Sequence, residues 1–255
     1  MVDHFSELYG AYSDGLRAAK RLAMRCNSKG LSGDIEMELT YLRIRHQKPE
    51  LVWEISPNWG YSTIFLLSAL KDNKAGQLIS FDTWDGPGQN DCVQQLTQGR
   101  HQMVVGDIKD TYASQVDLQG VPDYLFLDSY HSHGFGTWYI QTLFPLFQGK
   151  HVFVGLHDVY NPGFWSDDNF ERDLTIYPEW MPNEEGMVIL DWLVYNDHAC
   201  HVFTAAKSRW PDTYKHLVTM RNSVMGDDVE RDYVLPYDAN PTLFFELNCQ
   251  SMLTD

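Results

Sequence analysis

The stretch LVWEISPNWGYST, residues 51–63, brings together an apolar run, an acid, a turn and the start of a helix. Its first five residues are apolar apart from Glu54, which is typical of a buried strand. Ser, Pro and Asn then form a turn that ends at Gly60, and Ser62 follows where a helix can begin. A loop of this kind presents backbone N–H groups at a helix start, which suits an anionic or polar ligand.

Helical segments alternate with short apolar runs downstream of this stretch, and that alternation is typical of buried parallel strands. The sequence predicts strands over 51–55, 77–82, 101–107, 123–128, 151–158, 198–206 and 242–248. It predicts helices over 3–28, 34–46, 62–76, 90–98, 110–117, 134–148 and 184–197. We therefore expect one α/β domain over residues 1–255, a doubly wound, mostly parallel, seven-stranded sheet with helices on both faces and an N-terminal helical cap at 1–46.

The composition is that of a folded, acidic protein. The chain has 255 residues, of which 44% are hydrophobic and 14% aromatic, enough to build a core. Its formal charge is −16, from 35 acids against 19 lysines and arginines. Duplex nucleic acid and anionic membranes bind basic surfaces, so we expect neither as a partner. The cations Arg17, Lys20, Arg21 and Arg25 are expected on the solvated face of a helix.

The four cysteines, Cys26, Cys92, Cys200 and Cys249, are scattered and form no C-x-x-C pair. We therefore expect free thiols and a reducing compartment. The first residues are acidic and unlike a signal peptide, and no apolar run approaches the ~20 residues that span a bilayer. The expected location is the cytoplasm.

Acidic residues end five of the predicted strands. They are Glu54, Asp82, Asp107, Asp128 and, in the pair His157–Asp158, Asp158. In a doubly wound sheet these strand ends share one edge, where ligands bind. A single Asp after a strand is often a helix cap, but five acids at one edge repel one another and need a cation or hydrogen-bond donors. The sequence therefore predicts a polar ligand at this edge.

The spacing of two of these positions favours a nucleoside. Asp82 lies 22 residues after Gly60, the distance at which an acid after the second strand can accept both ribose hydroxyls. Asp107 is placed for the adenine end. The glycine-rich G-x-G-x-x-G of dinucleotide sites is missing, and Ser56 and Pro57 occupy the early turn. A cofactor without a pyrophosphate therefore fits better than NAD.

Taken in order, these motifs resemble those of Rossmann-like S-adenosylmethionine-dependent methyltransferases, and within them the small-molecule O-methyltransferases of the methyltransferase family 24 type. The resemblance covers residues 35–205 and is carried by WEISPNWGYST, ISFDTWDG, VVGDIKDT, PDYLFLDSYHSHG and VGLHDVYNP. It implies transfer of a methyl group from S-adenosylmethionine to a small-molecule acceptor, at a hydroxyl oxygen. It also implies an antiparallel last strand in the sheet.

The resemblance further implies which positions bind the cofactor. Glu54 and the turn through Gly60 would lie against the methionine part, Asp82 would bind the ribose, and Asp107 would flank the base. The full implied set is Glu54, Ser56, Gly60, Ser62, Asp82, Trp84, Asp107, Ile108 and Asp128. The sequence departs from the family at Ser56–Pro57, where a glycine is usual.

Asp128, His157 and Asp158 match positions that hold a divalent metal in related enzymes, so the resemblance implies Mg, Mn or Fe here. Such an ion would hold the acceptor oxygen and lower its pKa. The imidazole of His157 favours Mn²⁺, Fe²⁺, Co²⁺ or Zn²⁺ over Mg²⁺. The alternative is that no metal binds and histidine moves the proton.

His131 and His133 follow Asp128 at the mouth of the expected cleft, where either could deprotonate a hydroxyl near neutral pH. The alternative for His131 is that it caps the next helix or orients Asp158. The candidate catalytic residues are His131, Asp128 and His157.

Two long segments, 160–183 and 207–240, fall outside the alternation and are expected to be lids or insertions. The first carries aromatic candidates for a lid over the acceptor, Tyr160, Phe164, Trp165, Phe170, Tyr177 and Trp180. Residues 1–46 and 207–240 are the candidate contacts of a homo-oligomer.

Two other functions stay open at this stage, a non-haem-iron hydroxylase-like enzyme on the same fold and a non-catalytic nucleoside-binding accessory protein.

Overall fold

The computed structural model describes residues 2–26, 34–159, 183–195, 199–204, 219, 221–223 and 242–248. Its strands are β1 (Leu51–Ile55), β2 (Gln77–Asp82), β3 (His101–Val105), β4 (Tyr124–Leu127), β5 (Val152–Leu156), β6 (Ala199–Thr204) and β7 (Leu243–Leu247). They form one sheet in the order β3-β2-β1-β4-β5-β7-β6. β1 to β5 pair in parallel, whereas β7 runs antiparallel between β5 and β6. The predicted fold class, mostly parallel with an antiparallel last strand, is confirmed.

The helices also follow the predicted order, with one difference. They are α1 (Val2–Arg25), α2 (Asp34–Gln47), α3 (Tyr61–Asn73), α4 (Asp91–Thr97), α5 (Ile108–Gln119), α6 (His133–Trp138) and α7 (Glu184–Tyr195). The single helix predicted over 134–148 is divided, because α6 is followed by a π-helical turn at Tyr139–Leu143 and a 3₁₀ turn at Phe144–Phe147. Pro145 lies in the last piece and lacks the N–H that a continuing α-helix needs, which accounts for the change of helix type.

Two apolar clusters cover the two faces of the sheet. Helices α1 to α4 pack on one face, against side chains that include Val52 and Leu78. Helices α5, α6 and α7 pack on the other face, against side chains that include Trp53 and Leu125. Val52 and Trp53 are adjacent in β1, point to opposite faces and are completely buried. Burying an apolar side chain of this size stabilises the fold by about 1.5–3 kcal/mol, so β1 ties both helical layers to the sheet.

Helix α2 is buried along residues 35–44, and its polar side chains survive there because they are paired. Glu38 has no exposed surface, and its carboxylate accepts hydrogen bonds from Lys20 Nζ at 2.5 Å and from Tyr9 Oη at 2.8 Å. The expectation that Lys20 faces solvent is therefore wrong, since its side chain is 2% exposed. The ion pair with Glu38, 18 residues further along the chain, is the physical reason.

The expectation of free thiols is wrong for Cys26 and Cys92. These two residues form a disulfide between the end of α1 and α4, with their Cα atoms 6.1 Å apart. They lie 66 residues apart in the sequence and meet because α1 and α4 pack on the same face of the sheet. Spacing alone could not indicate this pairing.

Several predictions concern parts of the chain outside the described residues. The lid expected at 160–183 is described only at Asn183, and the segment 207–240 only at 219 and 221–223. Cys249 and the side chain of Cys200 also lie outside. Among the helices that the structure describes, none combines the length and apolar character needed to cross a membrane.

Candidate active site

The strand register brings the predicted acids to one edge of the sheet. Ile55 of β1 pairs with Phe81 of β2 and with Leu127 of β4, and Leu127 in turn pairs with Leu156 of β5. The strands therefore end level with one another, and the acids at their ends share an edge. We call this edge the carboxyl rim, defined by Glu54, Asp82, Asp107, Asp128 and Asp158.

Glu54 is the most deeply buried acid of the rim and has no exposed surface, while Asp158 is 2% exposed. Its carboxylate accepts hydrogen bonds from Ser62 Oγ at 2.6 Å, Thr63 Oγ1 at 2.9 Å and Ser80 Oγ at 2.6 Å. Burial raises the pKa of Glu54 to about 7, although the three hydroxyls act in the opposite direction. The side chain therefore fastens the start of α3 to β1 and β2 from inside the protein.

The turn between β1 and α3 contains three residues with positive φ, namely Ser56 at 59°, Asn58 at 49° and Gly60 at 83°. A non-glycine residue in this conformation costs roughly 1–2 kcal/mol, and such strain concentrates at binding loops. Gly60 caps α3, and a Cβ atom built there would lie 2.8 Å from a methyl of Val93. The turn therefore depends on a glycine at this position.

A second loop, between β2 and α4, packs directly on the first. Asp82 Oδ2 accepts a hydrogen bond from the backbone N–H of Asn58 at 3.2 Å. Gly86 lies so close to the first turn that a Cβ atom there would be 1.9 Å from the backbone carbonyl oxygen of Asn58. The rings of Trp59 and Trp84 meet edge to face with their centroids 4.6 Å apart. Asp82 thus lies beside an aromatic surface, and its partial burial raises the pKa of its carboxyl.

Asp107 and Ile108 lie at the start of α5. The Asp107 carboxylate accepts a hydrogen bond from the Lys109 N–H at 2.9 Å, so it caps the helix while remaining exposed at the rim. Ile108 is 4% exposed and belongs to the apolar cluster beneath it.

The opposite end of the rim holds a cluster of two carboxylates and an imidazole. Asp128, His157 and Asp158 each offer one ligand atom, and these atoms lie within 4.8 Å of one another. His157 Nδ1 is 3.1 Å from Asp128 Oδ1. Burial opposes charge on both residues, yet their mutual attraction lowers the pKa of Asp128 and, together with Asp158, raises the pKa of His157. Asp158 adopts a φ of 60°, a further strained position at the rim.

His131 connects this cluster to helix α7. Its Nε2 atom lies 3.3 Å from Asp158 Oδ2 and 3.5 Å from Asp128 Oδ1, and its Nδ1 atom lies 3.0 Å from Glu185 Oε2. Burial lowers the pKa of this imidazole, but the three carboxylates more than offset that effect and raise it well above the ordinary value. His133, by contrast, is exposed at the start of α6.

Sequence reasoning missed four polar residues of the site, Thr63, Ser80, Ser129 and Glu185. Glu185 is completely buried, and its carboxylate accepts a hydrogen bond from Ser129 Oγ at 2.9 Å as well as facing His131. An acid in the first turn of a helix is ordinarily attributed to the helix dipole. The signal that singles out Glu185 is its burial, which appears only when α7 is placed on the sheet.

Comparison with known proteins supports the fold and a methyltransferase-domain match. A family model described as a methyltransferase domain matches residues 57–159, which confirms the predicted resemblance over the rim-forming loops. An O-methyltransferase from Streptomyces achromogenes involved in tomaymycin synthesis, solved with S-adenosylmethionine, has a TM-score of 0.52 at 14% identity, covering 96% of this chain and 94% of its own.

A second solved structure gives the same result. An O-methyltransferase from Bacillus cereus, solved with S-adenosylhomocysteine, has a TM-score of 0.53 at 11% identity, covering 97% of this chain and 100% of its own. At sequence identities this low, the structural similarity establishes a common fold and nothing further. No protein of curated function matches the chain.

Proposed function

We propose that this chain, whose residues 57–159 match a methyltransferase domain, transfers a methyl group from S-adenosylmethionine to a hydroxyl oxygen of a small molecule. The observation that carries the proposal is the convergence of Asp82, Asp128 and Asp158 with the strained turn at 56–60 on one rim of the sheet. The cofactor carries a sulfonium and an ammonium, and both cations suit a rim of carboxylates.

The half of the rim formed by the β1–α3 and β2–α4 loops suits the nucleoside. Asp82 is the acceptor for the ribose hydroxyls, because it follows β2 at the edge where such acids act. Trp84 is the wall for the adenine ring, since it lies beside Asp82 and is braced by Trp59. Asp107 and Ile108 flank the base from the neighbouring strand end. Partial burial of Asp82 makes each hydrogen bond it accepts more valuable than at an open surface.

The methionine part lies against the turn from Ser56 to Gly60, which contains three residues with positive φ. Glu54 and Ser62 shape this turn from behind, because their hydrogen bond is buried. Asp128 lies at the end of β4, which neighbours β1 in the sheet, and is the last of the proposed cofactor-binding residues.

Asp128, His157 and Asp158 fit a divalent cation. Within the described residues, Asp158 Oδ1 and His157 Nε2 are buried atoms without a hydrogen-bond partner, which is uncommon in folded proteins. These three side chains would hold the ion, and a mixed nitrogen and oxygen donor set favours Mn²⁺ or Fe²⁺ over Mg²⁺. When bound, such an ion lowers the pKa of an acceptor hydroxyl.

Proton handling falls to His131, Asp128 and His157. One oxygen of Asp128 lies 3.1 Å from His157 Nδ1 and 3.5 Å from His131 Nε2, so the three side chains form one hydrogen-bonding set. Because the neighbouring carboxylates raise the pKa of both imidazoles, a ring of this set must first lose its own proton before it can accept one from the acceptor hydroxyl. The rest of the acceleration comes from holding the acceptor oxygen in line with the sulfonium methyl.

The acidic surface supports a small-molecule acceptor rather than a nucleic acid. The formal charge of −16 disfavours nucleic acids and anionic membranes, which bind basic surfaces. A cytoplasmic location supplies S-adenosylmethionine and is part of this proposal. The Cys26–Cys92 disulfide removes the free-thiol argument for a reducing compartment, so the location rests on the cofactor alone.

Isothermal titration with S-adenosylhomocysteine tests the proposal. We expect the wild type to bind with a micromolar dissociation constant and Asp82→Ala to bind at least about tenfold more weakly, since one charged hydrogen-bond acceptor contributes about 1.5–3 kcal/mol. Asp110→Ala is the matched control, because Asp110 is an exposed acid in the first turn of α5. Absence of binding by the wild type would remove the proposal.

A further inference from the structure

Helix α7 begins with two glutamates that occupy opposite environments. Glu184 is exposed, whereas Glu185 has no exposed surface. Burying a carboxylate is costly unless it is paired and hydrogen-bonded. Glu185 therefore needs a reason for its position that Glu184 does not.

The two oxygens of Glu185 hold two residues of the loop between β4 and α6. Oε1 accepts a hydrogen bond from Ser129 Oγ at 2.9 Å, and Oε2 lies 3.0 Å from His131 Nδ1. The two contacts flank Tyr130 in the sequence, and Tyr130 itself is 83% exposed. One carboxylate therefore fixes the loop that follows Asp128 at two points.

The contact with His131 also orients its ring. A carboxylate accepts but does not donate, so Nδ1 must carry the proton that bonds to Glu185. Nε2 is then directed toward Asp158 and Asp128, at 3.3 and 3.5 Å. His131 adopts a φ of 39°, a left-handed conformation that surrounding contacts must stabilise.

The first turn of α7 packs closely against its neighbours in the site. A Cβ atom at Gly186 would lie 2.5 Å from the Val159 oxygen, directly after Asp158. A Cβ atom at Gly136 of α6 would lie 3.2 Å from the backbone carbonyl oxygen of Glu185. Asn183 caps the helix by accepting the Gly186 N–H at 2.7 Å. The backbone that carries Glu185 is therefore packed between α6 and the residues that follow β5.

We infer that Glu185 is a positioning residue, which holds His131 with Nε2 directed at Asp128 and Asp158. The inference deepens the proposed methyl transfer and rests on it for its functional consequence. Glu185 itself touches His131 and Ser129 and acts on the acceptor only through them. Loss of a partner that orients a site imidazole typically lowers activity about ten- to hundredfold.

The test compares Glu185→Gln with Glu184→Gln, the same change one residue away on the same helix turn. Two-bond ¹H–¹⁵N spectra of ¹⁵N-histidine-labelled protein report the ring nitrogens, with His131 assigned through His131→Gln. We expect the His131 signals to move in Glu185→Gln and to stay in place in Glu184→Gln. Methyl transfer should show a kcat at least about tenfold lower in Glu185→Gln, with the KM for S-adenosylmethionine within about twofold.

Unchanged His131 signals in a folded Glu185→Gln protein would overturn the inference. If that variant does not fold, the wild-type spectrum decides alone, because an unprotonated Nδ1 of His131 contradicts the contact with Glu185. The two ideas fail separately. A wild type that neither binds S-adenosylhomocysteine nor transfers methyl groups refutes the proposed function, while the ring signals still decide whether Glu185 positions His131.

Discussion

Replacing Glu54 by glutamine should change how the stability of the protein depends on pH. Burial raises the pKa of this carboxyl from its ordinary 4.5 to about 7 in the folded protein. The folded state therefore keeps the Glu54 proton over a range in which the unfolded chain has released it. The free energy of unfolding must fall as the pH rises from 4.5 to about 7, and this contribution is constant at higher pH. At 1.36 kcal/mol per pKa unit, the fall attributable to Glu54 is about 3 kcal/mol.

Glutamine keeps the size of the side chain and has no proton to lose. Its single oxygen can accept a hydrogen bond from Ser62 or Ser80, and the other hydroxyl then accepts from the amide NH2. Urea unfolding followed by tryptophan fluorescence at several pH values between 4.5 and 8 gives the free energy of unfolding of both proteins. We expect Glu54→Gln to gain about 3 kcal/mol relative to the wild type across this range. Glu50→Gln, an exposed residue just before β1, is the control for the substitution itself. A wild-type minus Glu54→Gln difference that does not vary with pH would refute the reasoning.

Two further substitutions test the turn and the buried ion pair. Gly60→Ala should weaken S-adenosylhomocysteine binding several-fold and lower the free energy of unfolding by about 1–2 kcal/mol, because the φ of 83° and the contact with Val93 disfavour a Cβ atom. Gly10→Ala, which places its Cβ in open space on α1, should not destabilise the protein. Calorimetric titration measures the binding and thermal unfolding measures the stability of both variants. Lys20→Met should lower the free energy of unfolding by about 3 kcal/mol, because the buried Glu38 loses its hydrogen-bonded cation and keeps only Arg221, whose Nη1 atom is 3.6 Å away. The change of the exposed neighbour, Arg21→Met, should not lower it, and equal urea midpoints for the two variants would contradict this.

The parts of the fold that follow from local pattern were predictable. β1 and β2 have the predicted bounds, 51–55 and 77–82, because each is built on a short apolar run and a polar residue, Ser56 or Thr83, follows it. The segment 134–148 was harder, since its composition suits a helix while Pro145 changes the hydrogen-bond pattern within it. Helix type there depends on packing as well as on propensity.

Features that join distant parts of the chain were not predictable from one sequence. Lys20 has the composition of a solvated helix face around it, and only the placement of α2 supplies Glu38 as its partner. Cys26 and Cys92 meet across the same packing of helices. In each case the deciding interaction joins elements whose contact no local pattern encodes.

The residues of the candidate site also fall into those that local pattern predicts and those that only contacts between distant parts of the chain reveal. The acids at strand ends were predictable because parallel strands deliver their ends to one edge. Ser80, which bonds Glu54, and Glu185, which faces His131, were not, because the partners lie 26 and 54 residues apart. The environment of Glu54 was equally hidden. Its sequence position indicates the rim, while its burial behind three hydroxyls depends on the packing of α3 and β2.

A crystal structure of the protein grown with S-adenosylhomocysteine and Mn²⁺ is the most direct test of the central claim, that the nucleoside cofactor binds along the carboxyl rim. The account predicts ribose hydroxyls bonded to Asp82, the adenine beside Trp84 and density for an ion among Asp128, His157 and Asp158. Clear density for the nucleoside on another surface of the protein, with the rim holding only solvent, would contradict it.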